Sequence, residues 1–267
     1  MVRNFIAIAL LAAAATFGFS SCDKNGNVSL ISVAQDVELG RQTDSLILAT
    51  PAEYPILPEA ANQRLYAYVR GQKDKILATG KVKYKDEFKW EVKIINKADV
   101  LNAFCTPGGY IYVYTGLIKY LDNGDQLAGV MGHEMGHADL RHSSRQITKD
   151  AGINVVLSVL LGKSPQGVAA TVLTQVAGLR FSRDYEREAD KASVEYLSAT
   201  EYNCAGAAGF FEKLTAEGNT QNPPQWLSTH PNPENRVLDI NTQATKLGCN
   251  KSSTTTAEYA QIKALVP

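Results

Sequence analysis

The stretch GVMGHEMGHADLRHSS, residues 129–144, places two histidines four positions apart, with a glutamate directly after the first. Residues four apart lie on one face of an α-helix, so His133 and His137 can each present a ring nitrogen to one metal ion. Glu134 points off that axis and can reach a water molecule held by the metal, as the general base of metal-assisted hydrolysis does. The alternative is two surface histidines on an ordinary helix, but the apolar face of the flanking sequence favours the metal-binding helix.

A third histidine follows closely, but its spacing argues against a role as ligand. His142 is nine positions beyond His133 and is therefore turned by about 180° around the same helix. The kind of site that uses a later histidine has Gly three positions and His six positions after the second histidine, where this chain has Leu140 and Ser143. We therefore expect His142 to face solvent near the C-terminal end of the helix.

A catalytic zinc ion commonly keeps three protein ligands and an open position for water, so one more ligand is needed. The stretch FSRDYEREADKAS, residues 181–193, carries four acidic side chains on a predicted helix. Helical geometry puts Glu186 and Asp190 on one face and turns Glu188 about 200° away from Glu186. We expect Glu186 to bind the metal and Asp190 to accept the second ring proton of a ligating histidine. The alternative for this segment alone is a solvated helix whose carboxylates pair with neighbouring arginines.

The rest of the sequence predicts an α+β fold that is mainly helical. Alternation in KWEVKIIN predicts a half-buried strand, and NAFCTPGGYIYVY predicts two strands around a Pro-Gly-Gly turn. Apolar residues at three-to-four spacing predict the helices. These are expected at 31–50, 58–79, 125–142, 151–162, 166–182, 183–199, 205–216 and 233–247.

Two of the predicted helices, in INVVLSVLLG and VAATVLTQVAGL, are apolar nearly all round. Each is too short to cross a bilayer, which needs roughly 20 apolar residues. They favour a buried helical pair, with a hairpin that faces a membrane or the substrate as the alternative. From Lys251 onward, the Ser/Thr-rich sequence predicts a poorly ordered tail over residues 251–267, apart from a last helical turn.

Composition sets limits on the partners of the protein. The chain has 267 residues, of which 45% are hydrophobic, enough for one large or two small domains with a core. Its 27 basic and 27 acidic residues give a formal net charge of zero. No long-range field therefore attracts nucleic acid or an anionic membrane surface, and nucleic-acid binding is disfavoured.

The N-terminus is typical of a secretory signal over residues 1–21, with Arg3 before an apolar run from Phe5 to Phe19. Cys22 follows directly, as in the signals of bacterial lipoproteins, in which that cysteine is lipidated. We expect a lipid anchor at Cys22 and a polar tether over residues 22–30, which would place the protein in the bacterial cell envelope facing the periplasm. Ordinary cleavage nearby is the alternative, because Phe19 and Ser21 depart from the usual lipoprotein pattern.

Export would expose the remaining cysteines to an oxidising compartment. Cys204 and Cys249, each at the edge of a predicted helix, are candidates for a disulfide, but three cysteines do not require one. Cys105 would then be free, and we expect it to be a small buried apolar residue in its strand.

Four ordered motifs, HEMGH, SRDYEREAD, NAFCTPGGYIYVYTGLI and STHPNPENR, together resemble the HtpX-like and BepA-like family of membrane-associated zinc metallopeptidases, which also contains the CAAX-prenyl peptidases. The resemblance covers about residues 30 to 247 and implies a zincin-type domain over residues 31–250, with a small β-sheet bordering the active-site helix. It also implies one Zn²⁺ bound by His133, His137 and Glu186, with Glu134 as general base. The chain lacks the transmembrane helices and helical repeats of those relatives, so we expect a compact, lipid-tethered version.

The same resemblance gives His230, in the His-Pro motif, a place near the zinc. There it can ligate the metal in a latent state or stabilise the oxyanion during turnover, with Arg236 as a supporting residue of the cleft. The alternative is a loop histidine before a helix that begins at Pro233.

In zincin peptidases a strand that borders the cleft also pairs with the extended substrate, and here Asn102, Ala103 and Phe104 are the expected edge. A plain core hairpin fits this sequence equally well.

These features predict a zinc-dependent endopeptidase that acts on polypeptides. The resemblance alone implies that its substrates are unfolded or misassembled envelope proteins. The alternative function is a chaperone-like or scaffolding lipoprotein with a structural or latent zinc site.

Overall fold

The computed structural model describes residues 21–22, 28–150, 181–217, 225–231 and 235–267, together with Gly167, Ala170 and Leu173. The fold is α+β and mainly helical, as the sequence predicts. Its helices within these residues are α1 (Val33–Leu48), α2 (Gln63–Ala78), α3 (Thr115–Tyr120), α4 (Gly124–Asp139), α5 (His142–Asp150), α6 (Arg183–Leu197), α7 (Gly206–Ala216), α8 (Gln225–Thr229), α9 (Arg236–Lys246) and α10 (Thr256–Lys263). The strands are β1 (Ser21–Cys22), β2 (Val28–Ser29), β3 (Glu91–Ile95), β4 (Ala103–Thr106) and β5 (Tyr110–Tyr114).

The main sheet has three strands in the order β3-β5-β4. Strand β3 runs parallel to β5, and β4 runs antiparallel to it, with Phe104 opposite Tyr112. The turn between β4 and β5 contains Gly108 and Gly109, both with positive φ, where a side chain would be strained. A Cβ atom at Gly108 would also lie 3.0 Å from the carbonyl oxygen of Asp36 in α1. Glycine therefore allows α1 to pack directly on this turn. In the strand order of the sheet, β4 is one of the two edge strands.

Helix α4 carries the HEMGH motif through the middle of the domain, and all of its residues are buried. Asn123 caps its start by accepting a hydrogen bond from the Gln126 amide at 3.0 Å. Two glycines let neighbouring helices approach closely. A Cβ at Gly129 would lie 2.1 Å from the Ala207 amide nitrogen of α7, and one at Gly132 would lie 2.7 Å from the Ser193 hydroxyl of α6. This packing fixes the position of the motif between α6, α7 and the sheet.

The prediction of one helix over residues 125–142 is wrong at its C-terminal end. Helix α4 ends at Asp139, Arg141 has a φ of 58°, and a new helix begins at His142. The Arg141 guanidinium is buried and holds this conformation by bonding to the Asp36 carboxylate and to the carbonyl of Ile31. The chain therefore turns sharply after the metal motif instead of continuing along its axis.

The expectation of a poorly ordered tail is also wrong. Residues 256–263 form α10, in which Tyr259 and Ile262 are buried, and the Tyr259 hydroxyl donates a hydrogen bond to the Ile118 carbonyl at 2.8 Å. Cys204 and Cys249 form the disulfide that the sequence left open, and Cys105 is free and buried. The disulfide joins the chain just before α7 to the chain just after α9. Helix α9 also carries residues near the motif.

The predicted helices over 151–162 and 166–182 lie outside the described residues, apart from Gly167, Ala170, Leu173 and the segment 181–182. The same is true of residues 1–20 of the predicted signal. In the part of the chain that the structure does describe, no helix has the length and apolar content to cross a bilayer.

Candidate metal centre

Three predicted ligands converge between α4 and α6. The Nε2 atoms of His133 and His137 lie 3.0 Å apart, because four residues make about one helical turn. The Glu186 carboxylate faces both rings, with one oxygen 3.4 Å from His133 Nε2 and the other 3.4 Å from His137 Nε2. His230 joins them from the chain after α8, and one candidate ligand atom from each of the four side chains lies within 4.8 Å of the others.

The burial of this cluster fits a bound cation. All four side chains are at most 1% exposed. Within the described residues, neither oxygen of Glu186 nor Nε2 of His230 has a hydrogen-bond partner, although Arg236 Nη2 lies 3.2 Å from one Glu186 oxygen. Buried electron-pair donors without partners cost free energy, and a divalent cation would satisfy them together. Nitrogen and carboxylate oxygen ligands are those that zinc commonly binds.

Asp190 lies where the helical spacing predicts, beside the first ligand. Its Oδ1 atom is 2.8 Å from His133 Nδ1 and 2.7 Å from Arg236 Nη2. Burial lowers the pKa of His133, but the hydrogen bond to Asp190 and the nearby negative charges of Asp190 and Glu186 outweigh it and raise that pKa to about 9. The Arg236 guanidinium also lies over the Phe211 ring, 3.8 Å from its centroid. Asp190 therefore holds the His133 ring at Nδ1, and Arg236, whose Nη2 atom lies 3.3 Å from Nδ1 and 3.4 Å from Nε2, holds Asp190 in place.

Glu134 is buried beside the cluster. Its Oε1 atom lies 3.4 Å from His230 Nε2 and has no hydrogen-bond partner in the described part of the chain. Burial raises the pKa of Glu134 to about 8, against the charges of His133 and Arg236, which lower it. The backbone of Cys105 on β4 also forms a hydrogen bond that favours the charged carboxylate. Glu134 is thus more basic than an ordinary carboxylate, and it reaches from the motif helix to the backbone of β4.

His230 is held by aromatic stacking and by its neighbour in sequence. Its ring stacks on Trp226 with centroids 4.1 Å apart, and Nδ1 lies 2.8 Å from the Thr229 hydroxyl. Burial lowers the pKa of His230 well below its ordinary value, so the ring is neutral. The Trp226 amide donates to the Leu101 carbonyl at 3.1 Å, which attaches α8 to the chain just before β4.

The sequence matches Peptidase family M48 over residues 63–244, which is more than half of the chain and includes all of the residues just described. The chain belongs to this family. It is similar to the mitochondrial metalloendopeptidase OMA1 of Arabidopsis thaliana, with 35% identity over 147 residues, and to the beta-barrel assembly-enhancing protease of Escherichia coli K12, with 32% identity over 162 residues. It is also 30% identical over 158 residues to OMA1 of Schizosaccharomyces pombe.

These matches cover 55%, 56% and 58% of this chain and 30%, 33% and 46% of the respective relatives. The chain therefore spans less than half the length of these relatives. M48 metallopeptidases use zinc, and the cluster of His133, His137, Glu186 and His230 is able to hold such an ion. Family and relatives alike support a metalloendopeptidase.

The edge of this M48 domain presents backbone groups beside Glu134. The Tyr114 amide donates to the Asn102 carbonyl at 3.1 Å. Hydrogen-bonded positions alternate along an antiparallel pair, so Phe104 also directs its backbone groups to β5, whereas Ala103 and Cys105 direct theirs away from it. On that side the Ala103 amide donates to the Asn102 side-chain oxygen at 3.0 Å, and the Cys105 backbone bonds to Glu134. Of the three residues expected at the edge, Ala103 is therefore the one whose backbone is turned away from β5.

His142 is not the solvent-facing residue that the helical spacing predicts. It is fully buried, and its Nδ1 lies 2.9 Å from Nδ1 of His137. The reason is the break at Arg141, which redirects the chain and brings the His142 ring back against the motif. Its Nε2 lies 3.1 Å from Glu188, the acidic residue that the spacing turns away from Glu186. No periodic pattern in the sequence signals this contact, because a positive φ at an arginine is not a common helix ending.

Proposed function

We propose that this chain is a zinc-dependent endopeptidase that hydrolyses peptide bonds in unfolded or misassembled proteins of the cell envelope. The observation that carries the proposal is the convergence of His133, His137 and Glu186, with Glu134 buried beside them. Two imidazoles and one carboxylate form a ligand set of catalytic zinc hydrolases, which keep one position open.

The metal would be held by His133, His137 and Glu186. Zinc bound there supplies Lewis-acid polarisation of the scissile carbonyl and lowers the pKa of a water molecule. Glu134 accepts the proton of the attacking water and delivers it to the leaving amine. Its pKa of about 8, raised by burial, suits a group that must both take and return a proton near neutral pH.

His230 acts on the developing negative charge, and Arg236 supports a zinc ligand. When Nδ1 accepts from the Thr229 hydroxyl, the neutral His230 ring carries its proton on Nε2 and, instead of binding the metal, donates a hydrogen bond to the oxyanion. Such a bond typically contributes about 3 kcal/mol when the donor is preorganised. Stacking on Trp226 supplies that preorganisation. Arg236 acts through Asp190, which it fixes against the first ligand.

The substrate backbone would pair with the edge of β4. Ala103 and Cys105 direct their backbone groups away from β5 there, and the pairing would replace two existing bonds, from the Ala103 amide to the Asn102 side chain and from the Cys105 backbone to Glu134. Pairing through main-chain groups binds an extended peptide with little sequence preference, which suits substrates that are unfolded.

The cellular place of the protein is part of the proposal. Lipidation at Cys22 would tether the domain to a membrane of the cell envelope, facing the periplasm. The Cys204–Cys249 disulfide supports an oxidising compartment. One relative is by name a beta-barrel assembly-enhancing protease, which supports a role in the quality control of envelope proteins. Replacement of Cys22 by Ser should release the protein from membranes and abolish incorporation of a radiolabelled fatty acid.

One observation favours a second candidate function. His230 brings the number of potential ligands to four, and all are buried, as in closed structural zinc sites. A chaperone-like or scaffolding lipoprotein would bind unfolded proteins without cleaving them.

Incubation with casein separates the two functions. The endopeptidase should cleave casein, stop after treatment with a chelator and recover when zinc is restored. The Glu134→Gln variant should retain zinc and lose cleavage, whereas Glu195→Gln, at a half-buried position of α6 away from the cluster, should behave as wild type. Binding of casein without cleavage by the zinc-loaded wild type would favour the scaffolding role.

A further inference from the structure

A chain of side chains leads from the second predicted ligand to the protein surface. His137 Nε2 faces the cluster, and its other ring nitrogen, Nδ1, lies 2.9 Å from Nδ1 of His142. His142 Nε2 lies 3.1 Å from Oε2 of Glu188, and the same oxygen lies 2.7 Å from Arg145 Nη1. The exposed fraction rises along this chain from 0% for the His142 side chain to 31% for that of Glu188.

Proton positions along this chain follow from the chemistry of imidazole. A histidine that binds a metal through Nε2 carries its proton on Nδ1, so His137 must donate to His142. His142 then accepts through Nδ1 and carries its own proton on Nε2, from which it donates to the Glu188 carboxylate. Every contact has one donor and one acceptor, so the whole chain is satisfied in a single arrangement.

Aromatic contacts fix the orientation of both rings. Phe181 stacks on His137 with centroids 4.1 Å apart, and Tyr185 stacks on His142 at 4.5 Å with an interplanar angle of 6°. The Arg145 guanidinium lies over the Tyr185 ring, 4.4 Å from its centroid. These rings leave His142 little freedom to turn away from His137.

His133, the first predicted ligand, is held by a similar arrangement of side chains. His133 Nδ1 meets Asp190, and Asp190 is fixed by Arg236. In the case of His137, the neutral ring of His142 lies between the ligand and the Glu188–Arg145 pair. A carboxylate on the far side of a ligating imidazole orients the ring and raises the basicity of its ligand nitrogen.

We propose that His142 and Glu188 are positioning residues that hold His137 in its metal-binding tautomer and orientation. The inference rests on the proposed function, because it takes His137 as a zinc ligand. Neither residue needs to touch the substrate or the ion to have this effect.

Zinc affinity of the full-length protein tests this proposal, measured by competition with a chromogenic chelator. His142→Phe keeps a ring of similar shape without an acceptor and should weaken zinc binding about 10- to 100-fold. His142→Asn retains an acceptor near the position of Nδ1, and its affinity should lie between those of the wild type and His142→Phe. Circular dichroism of the zinc-free proteins shows whether each variant is folded.

Glu188→Ala provides a second test that leaves the buried ring in place. Its matched control is Asp184→Ala, which removes an exposed acidic partner of an arginine on the same helix. Glu188→Ala should weaken zinc binding several-fold, and the control should bind as wild type does. If His142→Phe does not fold, this pair decides the question.

Three results would overturn the proposal: folded His142→Phe with wild-type affinity, equal losses in His142→Phe and His142→Asn, or Glu188→Ala indistinguishable from its control. These results concern the positioning of His137 and leave the endopeptidase proposal in place. Failure of the wild type to bind zinc would instead contradict the proposed function itself.

Discussion

Asp190 Oδ1 lies 2.8 Å from Nδ1 of His133 and 2.7 Å from Nη2 of Arg236, so one carboxylate joins the motif helix α4 to α6 and α9. The contact places a fixed negative charge behind the first predicted zinc ligand. It also explains why a helix from the C-terminal third of the chain is needed at a centre built from an HEMGH motif.

The Asp190→Asn variant should bind zinc about 10- to 100-fold more weakly than the wild type. The amide can still accept the His133 proton, but it loses the charge that pairs with Arg236 and supports the imidazole. Competition with a chromogenic chelator measures the affinity. Asp184→Asn, on an exposed face of the same helix, serves as control. Equal zinc affinities of the two variants would show that Asp190 does not support the zinc site.

The burial of Glu134 predicts a pH-dependent stability of the zinc-free protein. Its pKa rises from 4.5 to about 8 on folding, so between these values the folded protein keeps a proton that the unfolded chain has lost. The free energy of unfolding therefore falls as the pH rises through this range, by up to a few kcal/mol. The glutamine side chain of Glu134→Gln does not titrate, so this contribution to the pH dependence is absent from the variant.

Thermal unfolding of wild type and Glu134→Gln, in the presence of a chelator, measures this effect. The advantage of the variant in unfolding temperature should grow between pH 5 and pH 8. A difference that stays constant over this range would show that the Glu134 carboxyl titrates as it does in the unfolded chain.

Close helix packing around the motif predicts a large difference between two glycines. Gly129→Ala would place a Cβ 2.1 Å from the Ala207 amide nitrogen, so it should destabilise the protein by about 1–3 kcal/mol or prevent folding. Gly71→Ala, in α2, meets no atom within 4 Å and should stabilise the protein by about 0.5–1 kcal/mol, because alanine favours a helix. Chemical denaturation measures both changes. Similar effects of the two variants would contradict the close approach of α4 and α7.

The disulfide predicts a stability that depends on the redox state. Cys204 and Cys249 are 45 positions apart, and loss of such a cross-link typically costs about 2–5 kcal/mol of unfolding free energy. The double Cys→Ser variant should show this loss by denaturation, and reduction should destabilise the wild type but not the variant. If reduction affects both equally, another group is responsible.

The central site was predictable because its geometry is local. His133, His137 and Glu134 belong to one helical turn, and Glu186 and Asp190 share a face of another helix, so a period of 3.6 residues is enough to place them. The disulfide and the environment of His142 depend on contacts between distant parts of the chain. No sequence pattern predicts the turn at Arg141, because this turn is held by the bonds of the Arg141 side chain to Asp36 and Ile31.

The same distinction applies to the rest of the fold. Helix α10 was missed because its short sequence is surrounded by serine and threonine, and it is ordered by the burial of Tyr259 and Ile262 against the domain. The two strands around Pro107 were predicted from alternation and turn residues. Their order in the sheet, with β3 parallel to β5, depends on a crossover that local patterns do not determine.

A crystal structure of the zinc-loaded protein, with an anomalous difference map at the zinc absorption edge, tests the central claim most directly. One strong peak is expected in contact with Nε2 of His133, Nε2 of His137 and the carboxylate of Glu186. A peak away from these three side chains, or none between them in protein shown to contain zinc, would contradict it.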